Sequence, residues 1–204
     1  MTVAIVNFGL CNLDSIARAV EECGGDALIT NRREDIEAAG RIVIPGVGAF
    51  ADAMRRLDES GLAEVLSERV MGRGVPCLGI CLGMHVLAAS GEEEGGGRGL
   101  GWIDGTVRRM RPAAGERIPH IGWNEVEPAG APPLFEGVAA ATDFYFVHSY
   151  HFICSDPAEV LATTPYCGSI ASAVGRDNVL GVQFHPEKSQ AAGFAVLTNF
   201  LERY

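Results

Sequence analysis

The first half of the chain alternates short, continuously apolar runs with longer stretches of helical periodicity. VAIV at 3–6, DALIT at 26–30, RIVI at 41–44 and VPCLGI at 75–80 read as buried strands. Between them, Leu13, Ile16, Ala17 and Val20 recur at helical spacing and stop at Gly24–Gly25. Met54, Leu57, Leu62, Val65, Leu66 and Val70 repeat that spacing over 52–72, and residues 82–90 read as a third helix. Strands that are apolar on both faces and are joined by helices predict a parallel sheet covered on both sides.

The second half changes character. GTVRRM (105–110), DFYFVHSYHFI (143–153), VLATT (160–164), SIASAVG (169–175) and VLGVQF (179–184) are short strand patterns separated by turn residues. They read as additions to the sheet rather than as a second domain. An amphipathic helix over 189–203 closes the chain. The stretch SGEEEGGGRGLG at 90–101 reads as a mobile surface loop, and PAGAPP at 128–133 as a turn. The expected architecture is therefore α/β, a single domain over 1–204, with a mostly parallel sheet and extra antiparallel strands in the second half.

Charge and cysteine usage narrow the function classes. A formal charge of −10 repels phosphate backbones and disfavours nucleic acid as a partner. No apolar run approaches a membrane span, and MTVAIVNFG carries no basic segment of a signal peptide, so a cytoplasmic protein is expected. Glycine is abundant, 26 of 204 residues, which points to tight turns and close backbone approaches. The cysteines, at 11, 23, 77, 81, 154 and 167, form no C-x-x-C pair, so zinc-ribbon spacing is absent and no metal is expected.

Cys81 is the exception among them. Gly79, Ile80, Cys81, Leu82 and Gly83 form a G-x-C-x-G step from a strand pattern to a helix pattern, the form of a nucleophile elbow. Such a turn strains the central residue and presents its side chain at the strand's C-terminal end, where helix N–H groups favour a thiolate. The motif alone admits a second reading, a buried cysteine in a glycine-rich turn. Cys77, inside the strand, reads as structural. LGVQFHPEKS at 180–189 supplies a base: a strand pattern ends at His185, Pro186 favours an extended conformation there, and Glu187 is expected to follow on the same side to orient the imidazole. Cys81, His185 and Glu187 then form a candidate triad; a solvated surface H-P-E is the alternative.

With these residues in place, the chain resembles the class I (triad) glutamine amidotransferases, and among them the glutaminase subunits of imidazole glycerol phosphate synthases. PGVGAF at 45–50, GICLGM at 79–84, PHIGWNEV at 119–126, FYFVHSY at 144–150 and GVQFHPEKS at 181–189 match in order. The elbow and the H-P-E belong to the whole superfamily, while PHIGWN and FVHSY select the subunit. The resemblance implies Cys81 as nucleophile, His185 as base and acid, and Glu187 as orienting carboxylate; the elbow itself offers the Leu82 N–H as an oxyanion donor, and PGVG offers the Val47 N–H beside it. The resemblance implies that Gly46, Gly48, His85, Glu93, Ser149 and Tyr150 bind glutamine. Asn12, Trp123, Asn124 and Lys188 are implied to face a (β/α)8-barrel cyclase subunit, which receives the ammonia and makes imidazole glycerol phosphate and aminoimidazole carboxamide ribotide. No cofactor is implied.

Two departures from the family pattern stand out. The family elbow usually continues C-L-G-M-Q, and His85 stands where that glutamine helps hold substrate. Near the N-terminus, Asn7, Phe8 and Cys11 replace an expected Asp, Tyr and Gly, while Asn12 is retained. These changes bear on glutamine affinity and partner contacts, not on the triad. A paralogue feeding ammonia to another barrel, such as one making amino sugars, a stand-alone γ-glutamyl hydrolase and a non-enzymatic scaffold remain open. The glycines on either side of Val47 also predict a gate: the Gly46–Val47 peptide can turn its N–H toward the oxyanion or away from it.

Overall fold

A computed structural model describes residues 1–10 and 13–204. Asn12 and Cys11, singled out above, lie outside the described residues. The strands are β1 (Thr2–Val6), β2 (Asp26–Thr30), β3 (Arg41–Gly46), β4 (Cys77–Cys81), β5 (Ala88–Gly91), β6 (Gly97–Arg98) and β7 (Ile103–Arg109) in the first half. They continue with β8 (His120–Pro128), β9 (Thr142–His148), β10 (Tyr150–Cys154), β11 (Val160–Thr164), β12 (Ile170–Arg176) and β13 (Val179–Val182). The helices are α1 (Leu13–Glu22), α2 (Arg33–Ala38), α3 (Phe50–Glu59), α4 (Leu62–Ser67), α5 (Leu82–His85) and α6 (Gln190–Arg203).

Nine strands form one sheet in the order β2-β1-β3-β4-β13-β12-β11-β8-β9. From β2 to β13 every pairing is parallel, and from β13 to β9 every pairing is antiparallel. A second sheet, β10-β7-β5-β6, flanks it. The continuous apolar runs have a direct cause: alternate residues of one strand enter opposite layers. Ala4 and Val6 of β1, with Ile42 and Ile44 of β3, pack under Phe50 and Leu57 of α3 and Leu66 of α4. Val3 and Ile5, with Val43, Leu78 and Ile80, pack under Ile16 and Val20 of α1 and Val196, Leu197 and Phe200 of α6.

The periodicity misled in three places. The helix expected over 82–90 stops after its first turn, because residues 88–91 leave as β5 and pair with β7. The stretch over 52–72 is two helices broken at Gly61, whose φ of 70° is left-handed, and the second runs on into a π-helical turn at Glu68–Gly72. Residues 90–101 are not a free loop: a 3-10 turn covers Glu93–Gly95, and β6 returns to pair with β5. Helix α2 was not legible at all. Ile36 is its one buried apolar residue, too little to form a periodic signal. Among the described residues no helix is long and apolar enough to cross a membrane.

Candidate active site

Strand β4 lies inside the parallel half of the sheet, between β3 and β13. Its last residue, Cys81, has φ 55° and ψ −109°, a conformation sparsely populated by non-glycine residues and characteristic of residues held under strain. The two glycines of the motif make the bend possible. A Cβ on Gly79 would lie 2.4 Å from the Gly83 carbonyl oxygen, and a Cβ on Gly83 would lie 1.6 Å from the Ile44 carbonyl oxygen. The strand and helix can close on each other only where these side chains are missing. Helix α5 has only four residues, so its dipole contributes little to the thiol, contrary to the expectation from a longer helix. The groups able to act on the sulfur are therefore the side chains around it.

His185 is the base among them. Its Nδ1 lies 2.9 Å from Glu187 Oε1, and both side chains are buried. Burial alone would lower the His185 pKa, but the hydrogen bond to Glu187 and the electrostatic influence of Cys81 and Glu187 outweigh it and raise it to about 9. The backbone route to this geometry differs from the one expected. His185 itself is extended, but Pro186–Lys188 form a 3-10 turn, so Glu187 reaches Nδ1 by a tight turn rather than along an extended strand. The turn is pinned to β9: the His185 N–H donates to the Tyr145 carbonyl (2.9 Å), the Ser189 hydroxyl donates to the His185 carbonyl (2.7 Å), and the Tyr145 N–H donates to Ser189 Oγ (3.0 Å).

A cavity of about 200 Å³ opens in front of Cys81. Val47, Gly48, Leu82, His85, Glu93, Ser149 and Tyr150 line it, with Val147 and His148. Gly46 does not. It pairs with Cys81 at the end of β3, faces Leu82 and Phe8, and borders a neighbouring cavity of about 220 Å³ with Val47, Ile80, His185, Glu187 and Lys188. Glu93 is half-buried and accepts a hydrogen bond from the Phe50 N–H at 3.0 Å; burial pushes its carboxyl pKa up. Leu82 is the first helical residue, a position with no intrahelical acceptor for its N–H. The Val47 N–H donates to the Leu10 carbonyl at 2.9 Å.

Of the residues assigned to a partner face, Trp123 and Lys188 come together against the Tyr145 ring, on the surface beside the triad. Trp123 is 48% exposed and meets the Tyr145 ring edge-on at 6.0 Å; Lys188 Nζ sits 5.8 Å above the same ring. Ile121, on the same face of β8, is also exposed. Asn124 turns the other way, its amide 3.1 Å from His120 Nε2, and His120 Nδ1 lies 3.0 Å from His148 Nε2. A buried chain thus connects β8 with the cavity wall. Sequence reading missed Gln183. Its side chain is fully buried, with Nε2 3.8 Å from Cys81 Sγ and Oε1 2.7 Å from His85 Nε2. The available signal was one amide inside the apolar run VLGVQF.

An elbow cysteine on a central parallel strand, with a histidine–glutamate pair one strand away, defines a triad amidotransferase. The chain belongs to that family: the model described as "Glutamine amidotransferase class-I" matches residues 4–203. It is 45% identical to the imidazole glycerol phosphate synthase subunit HisH of Rhodospirillum rubrum, over 98% of both chains. It is 40% identical to imidazole glycerol phosphate synthase subunit HisH 2 of Pseudomonas aeruginosa, again over 98% of each. Among solved structures, PurLQS from Thermotoga maritima superposes with a TM-score of 0.73 at 18% identity, covering 99% of this chain and 98% of that one, which speaks to the fold.

Proposed function

We propose that this chain is the glutaminase subunit of an imidazole glycerol phosphate synthase in histidine biosynthesis, with residues 1–204 forming one amidotransferase domain and working in the cytoplasm. The observation that carries the reading is the elbow Cys81 on a cavity of about 200 Å³, with the bonded His185–Glu187 pair one strand away, in a chain 45% identical end to end to a HisH subunit. In this reading the Cys81 thiolate attacks the side-chain amide carbon of glutamine. The tetrahedral intermediate collapses as His185 gives its proton to the leaving nitrogen, so the C–N bond breaks and ammonia departs from a γ-glutamyl thioester. Water then attacks the thioester, His185 takes its proton, and expulsion of the thiolate releases glutamate. Glu187 keeps Nδ1 protonated and the ring in place throughout.

The substrate roles follow from position. Glu93, a half-buried carboxylate whose pKa burial pushes up, faces the α-ammonium of glutamine. Ser149, Tyr150 and Gly48 form the walls. The exposed Trp123 and Ile121 with Lys188 form the docking face for a (β/α)8-barrel cyclase subunit, placing the triad beside the partner. The test is reconstitution: with that cyclase subunit and its ribonucleotide substrate, glutamine should support imidazole glycerol phosphate formation. The His85 that stands where the family has glutamine supports a second reading, a paralogue serving a different barrel. Glutamine hydrolysis with no stimulation by the cyclase subunit would favour that one.

A further inference from the structure

Among the described residues, the amide of Gln183 brings a side-chain N–H donor to the reacting sulfur. Its Nε2 lies 3.8 Å from Cys81 Sγ, while the Val147 carbonyl oxygen lies 3.9 Å from the same atom. A carbonyl accepts from a thiol but repels a thiolate. The ionised form that attacks substrate therefore needs a donor on this side to offset Val147, and the buried amide is the group placed to provide one.

An amide presents either end, and what decides between them is His85. Its Nε2 is 2.7 Å from Gln183 Oε1. With the proton on Nε2, His85 donates to Oε1 and turns the NH2 end of Gln183 onto the sulfur. The opposite arrangement would set the amide oxygen against the thiolate. Burial lowers the His85 pKa to about 4, so the ring stays neutral through the physiological range and its Nδ1 carries a lone pair. Gln183 is fully buried and the His85 ring almost so, and neither amide nor imidazole exchanges its partner for bulk water.

We propose that Gln183 is a catalytic residue that donates a hydrogen bond to the Cys81 thiolate, and that His85 is a positioning residue that fixes which end of the Gln183 amide faces the sulfur. This rests on the glutaminase reading above and deepens it. The donor serves twice in the reaction. It steadies the thiolate before attack, and it steadies it again when the thiolate is expelled from the second tetrahedral intermediate. It also changes the role of residue 85. The side chain that replaces the family's glutamine spends Nε2 on the catalytic apparatus and has only Nδ1, an acceptor, to offer the cavity.

The other titratable groups around the sulfur are His185 with Glu187 on one side, and His148 and Glu93 across the cavity; all stay in place in the variants used to test this. The measurement is alkylation of Cys81 by iodoacetamide in the full-length protein as a function of pH, followed on the Cys81 peptide by mass spectrometry, with thermal melts alongside. Gln183→Met should raise the pH midpoint of alkylation by about one to two pH units, the loss of one hydrogen bond to a charged acceptor. His85→Leu, which leaves Gln183 present but unanchored, should move the midpoint in the same direction and carries the test if Gln183→Met does not fold. His85→Gln restores an N–H donor for Oε1 and should keep the wild-type midpoint; a shift as large as that of His85→Leu would overturn the positioning role. A lowered melting temperature with an unmoved midpoint in Gln183→Met or His85→Leu would make these packing residues and sink the proposal. Alkylation needs neither glutamine nor partner. Failure of the wild-type complex to release glutamate would therefore overturn the proposed function and still leave the midpoint shift to be read.

Discussion

The Val47 N–H donates to the carbonyl of Leu10, 2.9 Å away, across the gap between the end of β3 and the segment that follows β1. The donor anticipated for the oxyanion is thereby held by the segment whose Asn7, Phe8 and Cys11 depart from the family pattern. Glutamine hydrolysis by the free chain should be slower than by the complex with cyclase subunit and ribonucleotide bound, by about 10²–10³, the cost of one missing oxyanion donor. Steady-state glutamate release in the three states, free, partnered, and partnered with ligand, checks this. Equal rates would remove the gate and revive the stand-alone hydrolase.

Two cysteines four residues apart should behave oppositely. Cys81→Ala should abolish glutamine-dependent synthesis by the complex and leave ammonia-dependent synthesis intact. Cys77→Ser should retain glutaminase activity, since complete burial pushes the Cys77 thiol far up and keeps it unreactive. Loss of activity in Cys77→Ser with a normal melting curve would contradict the assignment of the nucleophile.

The raised pKa of His185 has a signature in stability. Its folded value of about 9 exceeds the ordinary 6.5, so the folded state holds the proton more tightly than the unfolded chain. The stabilisation is complete below about pH 6.5 and is lost as pH rises through about 9. Cys81→Ala removes one of the partners that raise it, so its melting temperature should fall less over that interval than that of the wild type. Parallel melting curves for the two proteins across the interval would refute the coupling.

Two glycines near the site should respond to alanine in unlike ways. In Gly83→Ala the new Cβ would lie 1.6 Å from the Ile44 carbonyl oxygen and 2.7 Å from its carbon, both backbone atoms, and the elbow cannot open without parting α5 from β3. That variant should lose roughly 3 kcal/mol or more, or fail to fold. Gly48 has φ +115°, but a methyl group there would meet nothing nearer than the Leu10 side chain at 3.9 Å. Gly48→Ala should therefore cost only backbone strain, about 1–2 kcal/mol. Denaturant unfolding of both variants decides.

Trp123 is half out in solvent and rests edge-on against Tyr145. Trp123→Ala should weaken association with the cyclase subunit by about 2 kcal/mol or more, as expected of a central aromatic anchor, and leave the melting temperature of the free chain nearly unchanged. Calorimetric titration against the partner, with melts of the free chain, separates the two. Unaltered affinity would move the docking face elsewhere.

The parallel half of the sheet was legible in the sequence because burial on both faces leaves strands such as VAIV and RIVI without polar interruption, and helices α1 and α6 carry enough apolar residues to repeat. The elbow was legible for a steric reason: Gly79 and Gly83 are required wherever a strand and helix close around one residue. His185 and Glu187 were legible because the tripeptide is compact enough for local geometry to join its ends, although it does so through a turn rather than an extended strand.

What lay out of reach depended on contacts between segments distant in the chain. Whether the run after Leu82 continues as helix or leaves as β5 was decided by β7, which pairs with it from further along the chain. The state of the Val47 N–H was decided by Leu10, the surroundings of the thiolate by Gln183 and Val147, and the task of His85 by an amide 98 residues away. Residue type and local spacing determined which groups are capable of the chemistry. The direction of each hydrogen bond around the sulfur was left to tertiary packing, because burial removes water as an alternative partner and each donor must find its acceptor across the fold.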